Sequence, residues 1–195
     1  MSNNIKLIGV VGAGQMGLGI AQVFATSGFK ILINDNDQKT LQNSPELIKK
    51  SIQRAINKGK LQKGIDISSI KNIKIETDIK NLGTCDLIIE AATENEKIKH
   101  EIFQNLIPFL KHETILTSNT SSISITRLAA RTDRPEKFMG CHFMKPAPVM
   151  QLVELVRGIA TNEDTTNCLK GLVKKIGKVS TNSEDFPAFI VNRIL

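Results

Sequence analysis

The chain has 195 residues, 41% of them hydrophobic, which suits one globular domain with a buried core. No run approaches the roughly 18 apolar residues of a membrane span, and the opening MSNNIKLIGVVGAG lacks the n-region and cleavage site of a signal peptide. The net charge of +7 invites nucleic acid, but there is no Trp or Tyr to stack on bases and no zinc-finger or RNP motif, so no nucleic-acid partner is expected.

Residues 6–14, KLIGVVGAG, are a short apolar run ending in glycine and predict a buried strand. Residues 14–28 place apolar side chains at helical spacing and stop at Gly28. A second strand over 29–37 ends in acidic residues. Residues 39–64 are polar and helix-prone, with Pro45 suited to a first helical turn and Gly59 and Gly64 breaking the far end. Strands are predicted at 73–79 and 85–92, the second continuous and apolar like a central parallel strand. A helix over 95–111, a strand over 114–122 and a short helix and turn over 124–138 follow. Two strands, 139–144 and 149–158, flank a turn containing Pro146 and Pro148. A helix over 161–178, with a capping signature at Thr161 to Asp164, leads to a last short strand at 178–184. The alternation predicts an α/β fold of Rossmann type: a doubly wound, mostly parallel sheet with flanking helices. Residues 1–185 are expected to form this domain. Residues 186–195 (FPAFIVNRIL) are expected to start an apolar helix that either packs back on this domain or leads to a second domain that is missing or supplied by a partner.

Gly12-Ala13-Gly14-Gln15-Met16-Gly17 is G-x-G-x-x-G directly between a strand and a helix, and Asp35 ends the next strand 21 positions after Gly14. That context makes it a dinucleotide fingerprint. Gly12 allows the tight turn, Gly14 lets a pyrophosphate approach the backbone, and Gly17 lets helix and strand pack closely. The helix N-terminus supplies N–H groups to the phosphates. A carboxylate at Asp35 can accept from the adenosine ribose hydroxyls and repels a 2′-phosphate, so the expected cofactor is NAD rather than NADP.

Hydride transfer from an alcohol needs a base for the hydroxyl proton, and histidine suits that task. His100 and His112 sit on or beside a polar helix and read as surface residues. His142 lies in an apolar strand, and Glu154 on the next strand can fix its tautomer and stabilise the imidazolium. Cys141 is adjacent to His142, but neighbours in a strand point to opposite faces, which excludes a thiol–imidazole pair. Cys85, Cys141 and Cys168 are odd in number and lack C-x-x-C, against a disulfide framework or zinc site and in favour of a cytoplasmic setting. Residues 46–74 hold eight Lys or Arg against two acids, either a solvated helix face or a landing surface for a phosphate-rich ligand.

The segments GAGQMGLGIAQVFA, IIEAATENEKIKHEIF, TSNTSSISIT, GCHFMKPAPVMQLVELVRG and FPAFIVNRIL, in this order, resemble the 3-hydroxyacyl-CoA dehydrogenase family, closest to its short bacterial 3-hydroxybutyryl-CoA type. The resemblance runs from Lys6 to Leu195. It implies NAD-dependent oxidation of the 3-hydroxyl of L-3-hydroxyacyl-CoA, or the reverse, in short-chain acyl-CoA and fatty-acid metabolism. It implies His142 as base, Glu154 as its partner, Ser121 touching substrate and nicotinamide, and Asn192 near the substrate carbonyl. It further implies Glu94 and Lys99 as cofactor contacts, and Ser51 and Lys58 as contacts to the CoA moiety. Three features depart from the family pattern. Lys145 stands where an asparagine near cofactor and substrate is usual, bringing positive charge beside an oxidised nicotinamide. Pro187-Ala188-Phe189 stands where Pro-Gly-Phe is usual, so Ala188 replaces a glycine. The family continues into a helical second domain. The expected partner is an acyl-CoA, with either self-association into a homo-oligomer through residues 186–195 or a helical domain supplied in trans. The alternative to an active enzyme is a truncated, catalytically impaired NAD-binding remnant. An enzyme acting on a sugar acid is a weaker option, because the basic segment favours CoA.

Overall fold

The structure, a computed structural model, describes residues 5–59 and 67–194; the side chain of Asn192 and the expected break at Gly64 lie outside that description. In chain order the elements are β1 (Leu7–Val11), α1 (Gln15–Thr26), β2 (Lys30–Asn34), α2 (Gln38–Asn57), β3 (Ile73–Ile75), β4 (Leu87–Glu90), α3 (Glu96–Leu106), β5 (Ile115–Ser118), α4 (Ile125–Ala129), β6 (Phe138–Phe143), β7 (Leu152–Arg157), α5 (Glu163–Lys175), β8 (Val179–Glu184) and α6 (Val191–Ile194). The strands form one sheet in the order β3-β2-β1-β4-β5-β6-β7-β8. Every neighbouring pair is parallel except β6 and β7. The first six strands follow the dinucleotide-binding order, so a ligand cleft is expected beyond the carboxyl ends of the strands where the order reverses, at β1 and β4.

The central strands are apolar because both faces are covered. Ile8 and Val10 of β1, with Ile33 of β2 and Ile89 of β4, join one core with Ile20 and Phe24 of α1 and Leu41, Ile48 and Ile52 of α2. Val11, Leu32 and Ile88 join the other core with Phe103 and Leu106 of α3 and Leu128 of α4. The pleat sends alternate residues to the two layers.

Several expectations are corrected. Pro45 lies inside α2, not in its first turn, because Asp37 caps the helix earlier by accepting from the N–H groups of Lys39 and Thr40. Leu41, Ser44, Ile48 and Ile52 form one buried stripe that continues past the proline, and this burial outweighs its cost of about 3 kcal/mol. The cap of α5 is Asn162, whose side chain accepts from the N–H of Thr165; the hydroxyl of Thr161 instead donates to the carbonyl of Phe138. His100 is buried rather than superficial, sharing the inward face of α3 with Lys99, Phe103 and Leu106, and its Nε2 has no hydrogen-bond partner among the described residues. Polar residues at 99 and 100 hid that inward stripe. Finally, residues 186–190 are not helical: Ala188 and Phe189 have φ of 65° and 49°, and the N–H of Phe189 donates to the carbonyl of Phe186. That geometry closes a turn with Pro187 in second place, and only α6 beyond it is helix. Phe186 and Ile194 are exposed, while Phe189 is buried.

Candidate functional site

A cleft of about 1070 Å³ opens over the carboxyl ends of β1, β2, β4 and β5. Its floor is the glycine loop. Gly12 has φ of 106°, and a Cβ there would come within 2.7 Å of the carbonyl oxygen of Ala91. A Cβ on Gly17 would stand 1.8 Å from the carbonyl oxygen of Gly12, so the close approach of α1 to β1 requires glycine. Above Gly14 a Cβ would meet nothing within 4 Å; this is the open side from which a ligand reaches the backbone. α1 carries no side-chain cap and no acidic residue in its first turn, which leaves its positive end available to an anion.

Gly12, Gly14, Gln15, Met16, Asp35, Glu94, Lys99, Ser121 and Lys145 all line this cleft. Ala13 and Gly17 do not; Ala13 acts through its N–H, which donates to Oδ2 of Asp35 at 2.6 Å, while Oδ1 accepts from the N–H of Asp37 at 2.8 Å. Both bonds aim the Asp35 carboxylate and leave it lone pairs for the hydroxyls of a ribose.

At the other end, the loop after β5 is gathered around Glu94. Its Oε1 accepts from the hydroxyls of Thr120 (2.5 Å) and Ser122 (2.9 Å) and from the N–H groups of Ser121 (3.0 Å) and Ser122 (3.2 Å). Burial pushes this carboxyl up, but these hydrogen bonds and the nearby Lys99 outweigh it and leave it below the usual range. Glu94 thus holds Ser121 in place from within the cleft wall. Lys99 is almost wholly buried and bonds both oxygens of the buried Glu90, at 2.7 and 2.8 Å. Glu90 also accepts from the hydroxyl of Ser118 at 2.6 Å and the N–H of Ala92 at 2.7 Å. Sequence reasoning overlooked Glu90, although a carboxylate closing the apolar strand LIIE is a signal that a buried partner is needed. It also overlooked Asn119, which lines the cleft and whose Oδ1 accepts from the N–H of Phe143 at 2.8 Å, tying β6 to β5.

His142 and Glu154 meet. They are register partners across the antiparallel β6–β7 pair, and Nδ1 of His142 lies 3.1 Å from Oε2 of Glu154. An ionised carboxylate only accepts, so Nδ1 carries the hydrogen and Nε2 is left as the basic nitrogen. The second oxygen of Glu154 accepts from the N–H groups of Ile190 (2.7 Å) and Val191 (3.2 Å), which fixes the start of α6 and with it the backbone of Asn192. Phe189 packs edge-on against the imidazole, ring centres 6.2 Å apart. The Cys141 thiol is buried, which pushes its pKa up to about 12 and leaves it inert. Ser51 and Lys58 lie on and just after α2 and do not line the cleft.

A family model described as 3-hydroxyacyl-CoA dehydrogenase, NAD binding domain, matches residues 7–186. The 3-hydroxybutyryl-CoA dehydrogenase of Bradyrhizobium diazoefficiens is 49% identical over 195 residues, all of this chain and 67% of that protein. The chain belongs to the 3-hydroxyacyl-CoA dehydrogenase family. The human mitochondrial hydroxyacyl-coenzyme A dehydrogenase is 37% identical, with 98% of this chain and 63% of that protein covered. The crystal structure of (S)-3-hydroxybutyryl-CoA dehydrogenase from Ralstonia eutropha superposes with a TM-score of 0.93 at 41% identity, covering 98% of this chain and 68% of that one. The family model is that of an NAD-binding domain, so the cofactor is NAD, and the glycine loop, the uncapped helix and Asp35 fit it.

Proposed function

We propose that this chain forms the cofactor-binding and proton-handling part of an enzyme that oxidises the 3-hydroxyl of an L-3-hydroxyacyl-CoA to the ketone, or runs the reverse reaction. The observation that carries the reading is the His142–Glu154 pair at 3.1 Å, near the carboxyl end of β6 and three residues before Lys145 of the cofactor cleft, which the pair itself does not line. NAD held by the glycine loop and Asp35 would supply the hydride acceptor. Nε2 of His142 takes the hydroxyl proton, and Glu154 stabilises the imidazolium that forms. Ser121, held by Glu94, and Asn192, on the helix anchored by Glu154, orient the acyl group. Ser51 and Lys58, together with Lys49, Lys50 and Arg54 on α2, offer a basic surface outside the cleft for the phosphates of CoA. The exposed Phe186 and Ile194 support a cover from a second copy or a helical segment. Among the described residues no helix is long and apolar enough to cross a membrane, and the three cysteines are free, in keeping with a reducing cytoplasm.

The test is NADH consumption with acetoacetyl-CoA. Turnover by the wild-type chain should fall by about 10²–10⁴ in His142→Gln. Activity that survives the substitution would remove His142 as the base. NADH binding without turnover in the wild type would leave only a nucleotide-binding chain.

A further inference from the structure

Among the described residues, two cations line the cleft, Lys99 and Lys145. Lys99 is neutralised by Glu90. Lys145 is exposed and has no ion pair or hydrogen bond among the described residues. Its backbone is nevertheless fixed. On one side the N–H of Phe143 is held by Asn119. On the other, Ala147 is buried, Pro148 lies where a Cβ on Gly19 of α1 would meet it at 3.1 Å, and the carbonyl of Pro146 accepts from the N–H groups of Val149 and Met150. The loop thus presents a lone ammonium group at one end of the cleft.

Which end follows from the topology. A sheet of this order is two mononucleotide-binding halves. Asp35, on the loop after β2, marks the adenosine half. Lys145, two residues past β6 and three from His142, belongs to the nicotinamide half. Glu94, a carboxylate of the same lining, is already engaged by Thr120, Ser121 and Ser122.

On the reading that NAD occupies this cleft, we infer that Lys145 discriminates between the two oxidation states of the cofactor and makes the protein bind NADH more tightly than NAD+. The two forms share both phosphates and differ by the positive charge of the oxidised ring. A contact with the phosphates changes both affinities alike. A cation beside the ring disfavours only the oxidised form. For unit charges within one side chain's reach in a solvent-filled cleft, the selectivity is roughly three- to tenfold.

The experiment is equilibrium binding and needs no turnover. NADH affinity is read from its fluorescence, and NAD+ affinity from displacement of NADH, for the wild type, Lys145→Met and Lys145→Arg. In Lys145→Met the ratio Kd(NAD+)/Kd(NADH) should fall about three- to tenfold, while Lys145→Arg keeps it. Raising salt from about 0.05 to 0.5 M should shrink the wild-type ratio toward that of Lys145→Met. An unchanged ratio in Lys145→Met, including the case where both affinities weaken together, overturns the inference. Failure of either nucleotide to bind the wild-type chain overturns the cofactor reading and the inference with it.

Discussion

The two ends of the sheet are built from different materials. At β1, α1 and β2 the cleft is shaped by backbone: glycines that admit close approach, an uncapped helix end, and a carboxylate held by two N–H groups. From β4 to β8 the elements around it are tied together by carboxylates, two of them buried (Glu90, Glu154), Asp185 half-buried and Glu94 exposed. Glu90 holds Lys99 and Ser118, Glu94 gathers residues 120–122, Glu154 holds His142 and α6, and Asp185 accepts from the N–H groups of Ile125 and Thr126 at the start of α4. Binding a dinucleotide needs a surface that nothing obstructs, and missing side chains provide it. Moving a proton needs groups fixed to within a fraction of an ångström, and carboxylates that each accept several hydrogen bonds provide that.

The hardest blow to the carboxylate-built side is Lys99→Met. It leaves Glu90 buried with only a hydroxyl and one N–H, at an expected cost of about 3–5 kcal/mol. Urea unfolding measures it, and a loss under 1 kcal/mol would mean that Glu90 is easily resolvated and the contrast is weaker than the geometry suggests. Next is Gly17→Ala on the backbone-built side. The added methyl would meet the Gly12 carbonyl at 1.8 Å, forcing α1 away from β1. A loss of about 1–3 kcal/mol is expected, with NADH binding weakened at least tenfold. Thermal unfolding and NADH fluorescence report the two separately, and undiminished binding would show that the loop tolerates displacement. The smallest effect is a gain. Ala188 sits at φ of 65°, where an L side chain costs about 1 kcal/mol, so Ala188→Gly should stabilise by roughly that amount in the same urea titration. No gain would place the strain at Phe189 instead.

Legibility in the sequence follows the same division. The glycine loop and Asp35 could be read because their signal lies within one strand–turn–helix unit, where spacing alone encodes geometry. The sheet could be read because its strands are apolar on both faces. The His142–Glu154 pair was within reach because the two prolines between them allow only a short return, so the strands become neighbours. The side chains that hydrogen-bond Glu90, Glu94 and Asp185 lie 9 to 61 positions away and carry no periodicity. Two of the misread positions share one cause. At His100 and Pro45 the residue type argues locally for surface or for a helix start, while burial of the surrounding stripe decides the outcome.

A carboxylate is a rigid plane, and Glu154 grips something with each of its oxygens. Turning that plane to follow the amides of residues 190 and 191 swings the other oxygen past the imidazole. The first turn of α6 and the imidazole of His142 are therefore held by one side chain, so a displacement of residues 190 and 191 is felt at His142 through the turn of a single carboxylate.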